Sequence, residues 1–561
     1  MSSSADSRPG SGRWDRRVWA AITLGLVLIG AIRIASTWRL FAETYDEATQ
    51  IACGVEWLSG HGYTFETQHP PLGRIAVGLG PYLDGAHYHG KPTRVEEGDA
   101  IFADAPDYYR LLAEARAGNL IFFVLACLGV WLLARECGGD AVAAMAVASF
   151  TLIPVVLGHA GMATTDFALV PSIALAFWSW QVGLDCPDRK HAALAGAATA
   201  LAIVSKFSSF GFLPAMLAAL LALRWRRKSL PTCTRKALLN LAAVFAATLL
   251  LICWAAYRFE VTPIRTPPGR QFLLLDEWIG PSGWLHSMVY RLLEVPFPLS
   301  TILKGIGEAF QHSLDGHDAY LFGQVSRHGW WYFFPVVLLV KTPLAFLALA
   351  GLGAAVAIRD LNARAVECLA AGIAIVLVSL TASINIGVRH VLPVYTFAAV
   401  LAGLAVVRLW PRTRLVGVLC VCLIAGNIWA HPHYLADFNL LAMGTPERIV
   451  TDSDLDWGQD LPFATRALIE RGVPQAWLAY AGVYDVSRET GVTYRALPPN
   501  TAVEGWVAAS VRQIYFEGAM ARAKGQPEPY GWLKTIRPTM RAGRSILIFD
   551  LRNKHLERVH P

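Results

Sequence analysis

The sequence predicts a polytopic α-helical membrane protein of about eleven spans, with large loops on the outer face and a small C-terminal α/β domain. Three observations carry that prediction. The 561-residue chain is 54% hydrophobic and only 16% charged, with a mean hydropathy of +0.40, whereas ordinary soluble domains are about 25% charged. Apolar runs recur from residue 18 to residue 430, and the short basic clusters fall on alternate connections. Beyond residue 430 the composition shifts to charges, Gly-Pro turns and short strand-like runs.

Spans are expected near 18–36, 117–134, 141–157, 166–184, 191–206, 209–223, 236–257, 332–358, 366–384, 391–408 and 414–430. Several are shorter than the roughly 20 residues a bilayer needs. Arg13, Arg16 and Arg17 precede the first, Arg189-Lys190 the fifth, and Arg224, Arg226, Arg227 and Lys228 with Arg235-Lys236 the seventh; Arg359, Arg364, Arg412 and Arg414 continue the alternation. Because basic residues stay on the cytoplasmic side, residues 1–17 are a cytoplasmic segment, and an odd span count leaves the tail outside. The first apolar run has the basic flank of a signal peptide but no small-residue cleavage site, so it reads as a retained span. The expected organisation is a transmembrane core over 18–430, outer loops at 37–116 and 258–331, and an extracytoplasmic domain over 431–561. In that domain 476–480 and 545–550 read as strands and 461–471 as a helix.

Composition also excludes classes. The formal charge of +7 is distributed between apolar runs, which leaves no basic face for nucleic acid. The nine cysteines are scattered, with Cys127, Cys253, Cys420 and Cys422 inside apolar runs and no CxxC spacing, so they read as small hydrophobes.

Polar residues gather at the outer span ends. Asp46-Glu47 stands just outside the first span, and about twenty residues later comes His69-Pro70-Pro71-Leu72; an acid at a membrane boundary points to function by default. His159, Asp166, Lys206, Lys341, Asn385, Arg389 and His390 share that side. A carboxylate to take a proton and cations to hold a departing phosphate are what a bilayer enzyme acting on a lipid phosphate requires. Each has a structural reading beside the functional one. Asp46-Glu47 and Asp166 stand where helix N-caps fall; His69 precedes a Pro-Pro helix start; Lys206 and Lys341 are placed to snorkel. Arg389-His390 interrupts apolar sequence with Gly387 and Pro393 beside it, and irregular backbone at membrane depth lines cavities. The run 330–334 reads as an interfacial aromatic belt, with sugar stacking as the alternative. Near 302–310 an amphipathic run either lies on the membrane or faces substrate with Glu308, His312, Asp315, His317 and Asp318.

The stretches TYDEATQIACG (44–54), QHPPLGR (68–74), TTDF (164–167), SKFSS (205–209), VKTPL (340–344), NIGVRHVLPVY (385–395), HPHYLADFN (431–439) and TDSDLDWGQDL (451–461) resemble glycosyltransferase family 39 and its GT-C relatives. These include protein O-mannosyltransferases and lipid A aminoarabinose transferases, and the bacterial phospholipid-carrier-dependent branch is the most similar. The resemblance implies a GT-C helical core in a bacterial inner or plasma membrane. It also implies inverting transfer of a monosaccharide, such as the hexose mannose, from a polyprenyl-phosphate donor to a hydroxyl of a protein, lipid or glycan on the extracytoplasmic side. Asp46 maps to the catalytic base, Glu47 lies beside it, and Asp166 is a second acid. His69, Lys206, Lys341, Arg389 and His390 map to donor-phosphate or metal contacts. The chain has Gln50 where the branch often has His, and Met443-Gly444 where it has Gly-Gly; with no tight ligand set visible, no cofactor is assigned and a divalent metal stays open.

The acidic run 452–460 reads either as a loop docking the tail on the core or as an oxygen-rich Ca²⁺ site, without the EF-hand spacing. Two further classes compete with a transferase. A flippase of polyprenyl-linked sugars would show duplicated halves, which the sequence lacks, and a non-catalytic envelope assembly protein would leave the clustered outer charges without a purpose.

Overall fold

The computed structural model describes residues 16–265, 276, 278–410 and 413–552. Arg13, most of the expected cytoplasmic segment and Arg412 lie outside the described residues. The chain is a polytopic helical membrane protein with a small C-terminal sheet domain, and each of the expected apolar segments is helical. They are α1 (Arg16–Ala35), then, after the four outer-loop helices α2 (Glu47–Leu58), α3 (Pro71–Leu83), α4 (Arg94–Asp104) and α5 (Tyr108–Ala117), α6 (Leu120–Gly138), α7 (Asp140–Thr151) with α8 (Pro154–Ala160), α9 (Leu169–Asp185), α10 (Arg189–Ser205), α11 (Ser209–Arg226) and α12 (Arg235–Ala256). After the second outer loop come Phe333–Lys341 with Leu344–Arg359, Ala363–Ser379, Val394–Leu409 and Arg414–Ala430.

Among the described residues, 4 helices are long and apolar enough to cross a membrane, or 6 if each bent pair is one span. The bends are at Pro154 (72°) and Pro343 (111°), where the ring removes a helical N–H and clashes with the preceding turn. The remaining apolar helices are shorter or carry charge. Arg224 shows why charge is tolerated there: it bonds Asp185 at 2.7 Å and Glu367 at 3.1 Å, joining α9, α11 and helix Ala363–Ser379. Phe123, Phe150, Phe167, Phe177, Phe346 and Phe397 fill the bundle. Leu28, Ile29 and Ile32 of α1 and Leu238, Leu239 and Leu250 of α12 face outward, as lipid-facing positions do.

Close backbone packing positions the loop that follows α1. A Cβ on Gly54 would lie 2.2 Å from the Arg74 carbonyl, and one on Gly78 would lie 2.7 Å from Gly54 Cα, so α2 and α3 touch backbone to backbone. Gly98 brings α4 equally close to Ala48 of α2. α4 begins with a capping box between Thr93 and Glu96, and α5 with Asp107 accepting from the Arg110 N–H.

In the tail, the helix Leu461–Ile469 precedes a five-stranded sheet ordered Thr493–Ala496, Gln475–Ala479, Trp506–Ser510, Ile546–Asp550 and Met540–Ala542. The first two pairings are parallel and the last two antiparallel. The expected strands at 476–480 and 545–550 are present, while the central strand Trp506–Ser510 is buried at every position and shows no alternation. In the second outer loop, helix Ser300–Asp315 turns Ser300, Thr301, Ile302 and Gly305 inward, where Gly305 meets Thr67 and Phe207, and leaves Leu303, Phe310 and Leu314 exposed.

Candidate active site

Asp46 stands at the N-terminal boundary of α2, yet its carboxylate makes no capping bond. It accepts instead from Arg389 Nη1 at 2.6 Å. The same nitrogen lies 3.4 Å from Asp166 Oδ2, and the other Asp166 oxygen is paired with Lys206 Nζ. Four residues from four distant motifs thus alternate in charge along one line: Asp46, Arg389, Asp166, Lys206.

The local backbone explains each placement. α10 ends at Lys206, whose φ of −163° and ψ of 137° turn the chain out of the helix. Asp166 opens a 3₁₀ turn at the head of α9. That turn lies against α3, where a Cβ on Gly73 would stand 2.9 Å from Thr165 Cα, so the 68–74 and 164–167 motifs pack directly. Arg389 lies in the 3₁₀ turn Val388–Val391 behind Gly387, whose φ of 141° is open to glycine but strained for other residues.

The acidic tail loop builds the far side of this turn. Asp454 Oδ1 accepts from the Val388 N–H at 3.0 Å, and the Ser453 hydroxyl donates to the Ile386 carbonyl. The Arg389 guanidinium lies over the Trp457 ring, 4.4 Å from its centroid. Asp456 accepts from Ser510 and from the Arg512 N–H, and Asp460 from the Arg544 and Ser545 N–H groups. These carboxylates are engaged by protein donors, and the loop docks the tail on the core. Burial pushes Asp454, Asp456 and Asp460 up to about 6.

Glu47 differs sharply from its neighbour. It is fully buried and accepts from Arg116 Nε and Nη2, each at 2.8 Å, and from the Thr44 and Ala163 N–H groups. Arg116 spends its remaining donors on the carbonyls of Trp38, Phe41 and Ala42. Burial alone would raise the Glu47 carboxyl, but Arg116 and the N–H donors outweigh it and hold it below its ordinary value. With both oxygens occupied, Glu47 ties the start of α2 to α5 and to the segment that follows α8.

His69 forms a second cluster. Its Nδ1 contacts Glu66, which also binds Arg74 and Arg94. Arg74 donates further to Gln50 at 2.9 Å and to the carbonyls of Glu66 and His69. Gln50 thus accepts from a buried arginine. Burial first, then the Lys206 and Arg389 cations, hold His390 well below its ordinary value.

Lys341 is not brought to this line. It is 1% exposed and donates to the carbonyls of Leu435 and Asp454, with Phe438 4.1 Å from Nζ to ring centroid. It neither snorkels nor meets Asp46. Glu66, Arg116 and Trp457 are the neighbours that reading the sequence missed. Trp457 sits inside the 451–461 motif and Glu66 two residues before the 68–74 motif, but nothing in their spacing points to a distant partner.

Residues 112–255 match the family model described as dolichyl-phosphate-mannose-protein mannosyltransferase. No curated protein sequence matches the chain. Solved structures of similar course include ArnT from Cupriavidus metallidurans bound to undecaprenyl phosphate, at 13% identity over 95% of this chain and 98% of that one, with a TM-score of 0.48. Another is the oligosaccharyltransferase AglB from Archaeoglobus fulgidus in complex with an inhibitory peptide and a dolichol-phosphate, at 12% identity over 94% and 73%, TM-score 0.47. A third is the S. cerevisiae protein O-mannosyltransferase Pmt1-Pmt2 complex bound to the sugar donor, at 18% identity over 44% and 33%, TM-score 0.32. The matched stretch holds Arg116, Asp166 and Lys206.

Proposed function

We propose that the protein is a membrane glycosyltransferase that moves a monosaccharide from a polyprenyl-phosphate carrier to a hydroxyl acceptor at the outer bilayer face, with inversion and with Asp46 as general base. The observation that carries this reading is the contrast within the acidic pair. Glu47 is occupied by Arg116 and two N–H groups, whereas the Asp46 carboxylate is 29% exposed and, among the described residues, pairs with the Arg389 cation.

In this reading the donor phosphate meets Arg389 and Lys206, the two cations of the line, with His390 and the His69–Glu66 pair alongside. The acceptor hydroxyl attacks the anomeric carbon as Asp46 takes its proton, and the bond from that carbon to the phosphate oxygen breaks. The leaving lipid phosphate gains a negative charge, which a preorganised guanidinium and ammonium stabilise in a water-poor site. Arg389 Nη1 lies between Asp46 and Asp166, so in this reading the positive charge comes from the chain itself. Asp166 positions both cations. The sugar is read as a hexose such as mannose and the acceptor as a protein, lipid or glycan hydroxyl. In this reading the core over 18–430 carries the chemistry and the domain over 431–561 stands with it on the extracytoplasmic face of a bacterial inner or plasma membrane, as the alternation of basic clusters supports.

The test is transfer of labelled sugar from a panel of polyprenyl-phosphate monosaccharides by purified protein in lipid, with an envelope extract as acceptor and Asp46→Asn alongside. Product from the wild type that falls by about 10²–10⁴-fold in the variant, with donor binding retained, supports the reading and names the donor. Saturable donor binding without product from any donor favours a flippase, and no donor binding at all overturns the assignment.

A further inference from the structure

Away from the active-site line, the first outer loop carries a second cluster of metal-binding side chains. Between α3 and α4 the chain runs extended through Ala86-His87-Tyr88-His89, with Gly85 and Gly90 at φ of 106° and 74° on either side. Residues two apart on extended chain point the same way, and the His87 and His89 rings lie side by side with centroids 4.4 Å apart. They face the end of α4, where ligand atoms of His87, His89 and Asp104 all fall within 4.8 Å of one another.

His89 has a carboxylate at each ring nitrogen. Nδ1 lies 3.3 Å from Glu97 Oε1 and Nε2 lies 2.8 Å from Asp104 Oδ2. A neutral imidazole carries one N–H and satisfies only one of these contacts. The other needs either a second proton or a metal ion on the Nε2–Asp104 edge. Four features favour the metal. His87 supplies a third ligand, its ring centroid 4.4 Å from that of His89. Glu97 is fully buried and also accepts from the backbone N–H of His89 at 2.6 Å and of Lys91 at 2.9 Å, so the loop is held in place before any ion arrives. A carboxylate on the far ring nitrogen is the arrangement that fixes the tautomer of metal-bound histidines. Finally, Asp104 is the last residue of α4, and the last turn of that helix has no basic residue; the negative end of the helix dipole meets an acid where a cation is favoured.

We propose that His87, His89 and Asp104 form a binding site for a borderline divalent transition ion such as Zn²⁺, with Glu97 orienting His89 and water completing the coordination. Two imidazoles and one carboxylate suit Zn²⁺ and its first-row neighbours rather than Mg²⁺ or Ca²⁺, which take oxygen ligands. The ion staples the loop after α3 to the end of α4. The site does not depend on the transferase reading, because none of its ligands belongs to the Asp46 line.

The test is titration of the full-length protein, free of any affinity tag and stripped of metal, with Zn²⁺ against a competing indicator, and with Co²⁺ followed by visible absorption. His87→Ala and Asp104→Asn each remove a ligand and leave the Glu97 contacts in place; unchanged melting in EDTA shows that both fold. The expected result is that each variant binds one equivalent fewer than the wild type and loses the Co²⁺ bands of an imidazole-ligated site, while Glu97→Gln weakens that equivalent by about 10–100-fold. Wild type that takes up no Zn²⁺, or variants that bind as many equivalents as tightly as wild type, would overturn the proposal.

Discussion

Arg389 and Asp46 are 343 residues apart in the chain and meet at 2.6 Å. That one contact joins the first outer loop to the 3₁₀ turn before helix Val394–Leu409, and the stacking of Arg389 on Trp457 adds the C-terminal domain. The guanidinium is the point at which three separate regions of the chain converge.

Arg389→Ala is expected to reduce transfer by about 10²–10³-fold, the scale of losing one preorganised charge contact. The loss should appear in donor binding and turnover, with the acceptor KM little changed. Arg389→Lys should recover only part of it, since an ammonium cannot reproduce the planar stack on Trp457. Steady-state kinetics with donor and acceptor varied in turn checks this, and equal loss toward both substrates would assign Arg389 a structural role.

The vicinal acids should separate by stability. Glu47→Gln breaks a fully buried ion pair with Arg116, a change that typically costs about 3–5 kcal/mol, and should lower Tm and yield. Asp46→Asn should melt close to wild type while failing in transfer. Thermal unfolding of the two variants in the same detergent decides the matter; a normal Tm for Glu47→Gln would mean that Arg116 finds other partners.

The tail loop should show an acid-range pH dependence. Asp456 is pushed up from the ordinary 3.8 to about 6 by burial, against the bonds from Ser510 and the Arg512 N–H. A folded state that holds its proton more tightly than the unfolded chain is favoured at low pH, and the benefit is lost as pH rises between about 4 and 6. Asp456→Asn should therefore flatten part of the fall in Tm over that window. Identical pH slopes for variant and wild type would show that Asp456 is ionised throughout.

Orientation can be read chemically. Asn500 is exposed in the tail domain, and a cysteine there in intact cells is expected to react with an impermeant thiol reagent. Labelling only after the membrane is opened would reverse the assigned sidedness.

Periodicity and composition determined a good deal of this protein. Apolar runs bounded by basic clusters mark the helices, because lipid demands long apolar segments with internal backbone bonding, and the strand-like runs 476–480 and 545–550 mark two strands of the tail sheet to within a residue. The motifs that hold Asp46, His69, Asp166, Lys206 and Arg389 were legible as interruptions of apolar sequence. Only the tertiary structure decided which of those charges meet. Sequence position does not separate Asp46 from Glu47; that distinction arises because Arg116, on the far side of the loop, reaches one and Arg389 the other. It likewise sets Lys341 among backbone carbonyls, places Gln50 against Arg74, and puts Trp457 of the tail beneath the guanidinium. Local pattern records whether a residue is apolar and how often such residues recur, whereas a charge finds its partner through packing between segments far apart in the chain.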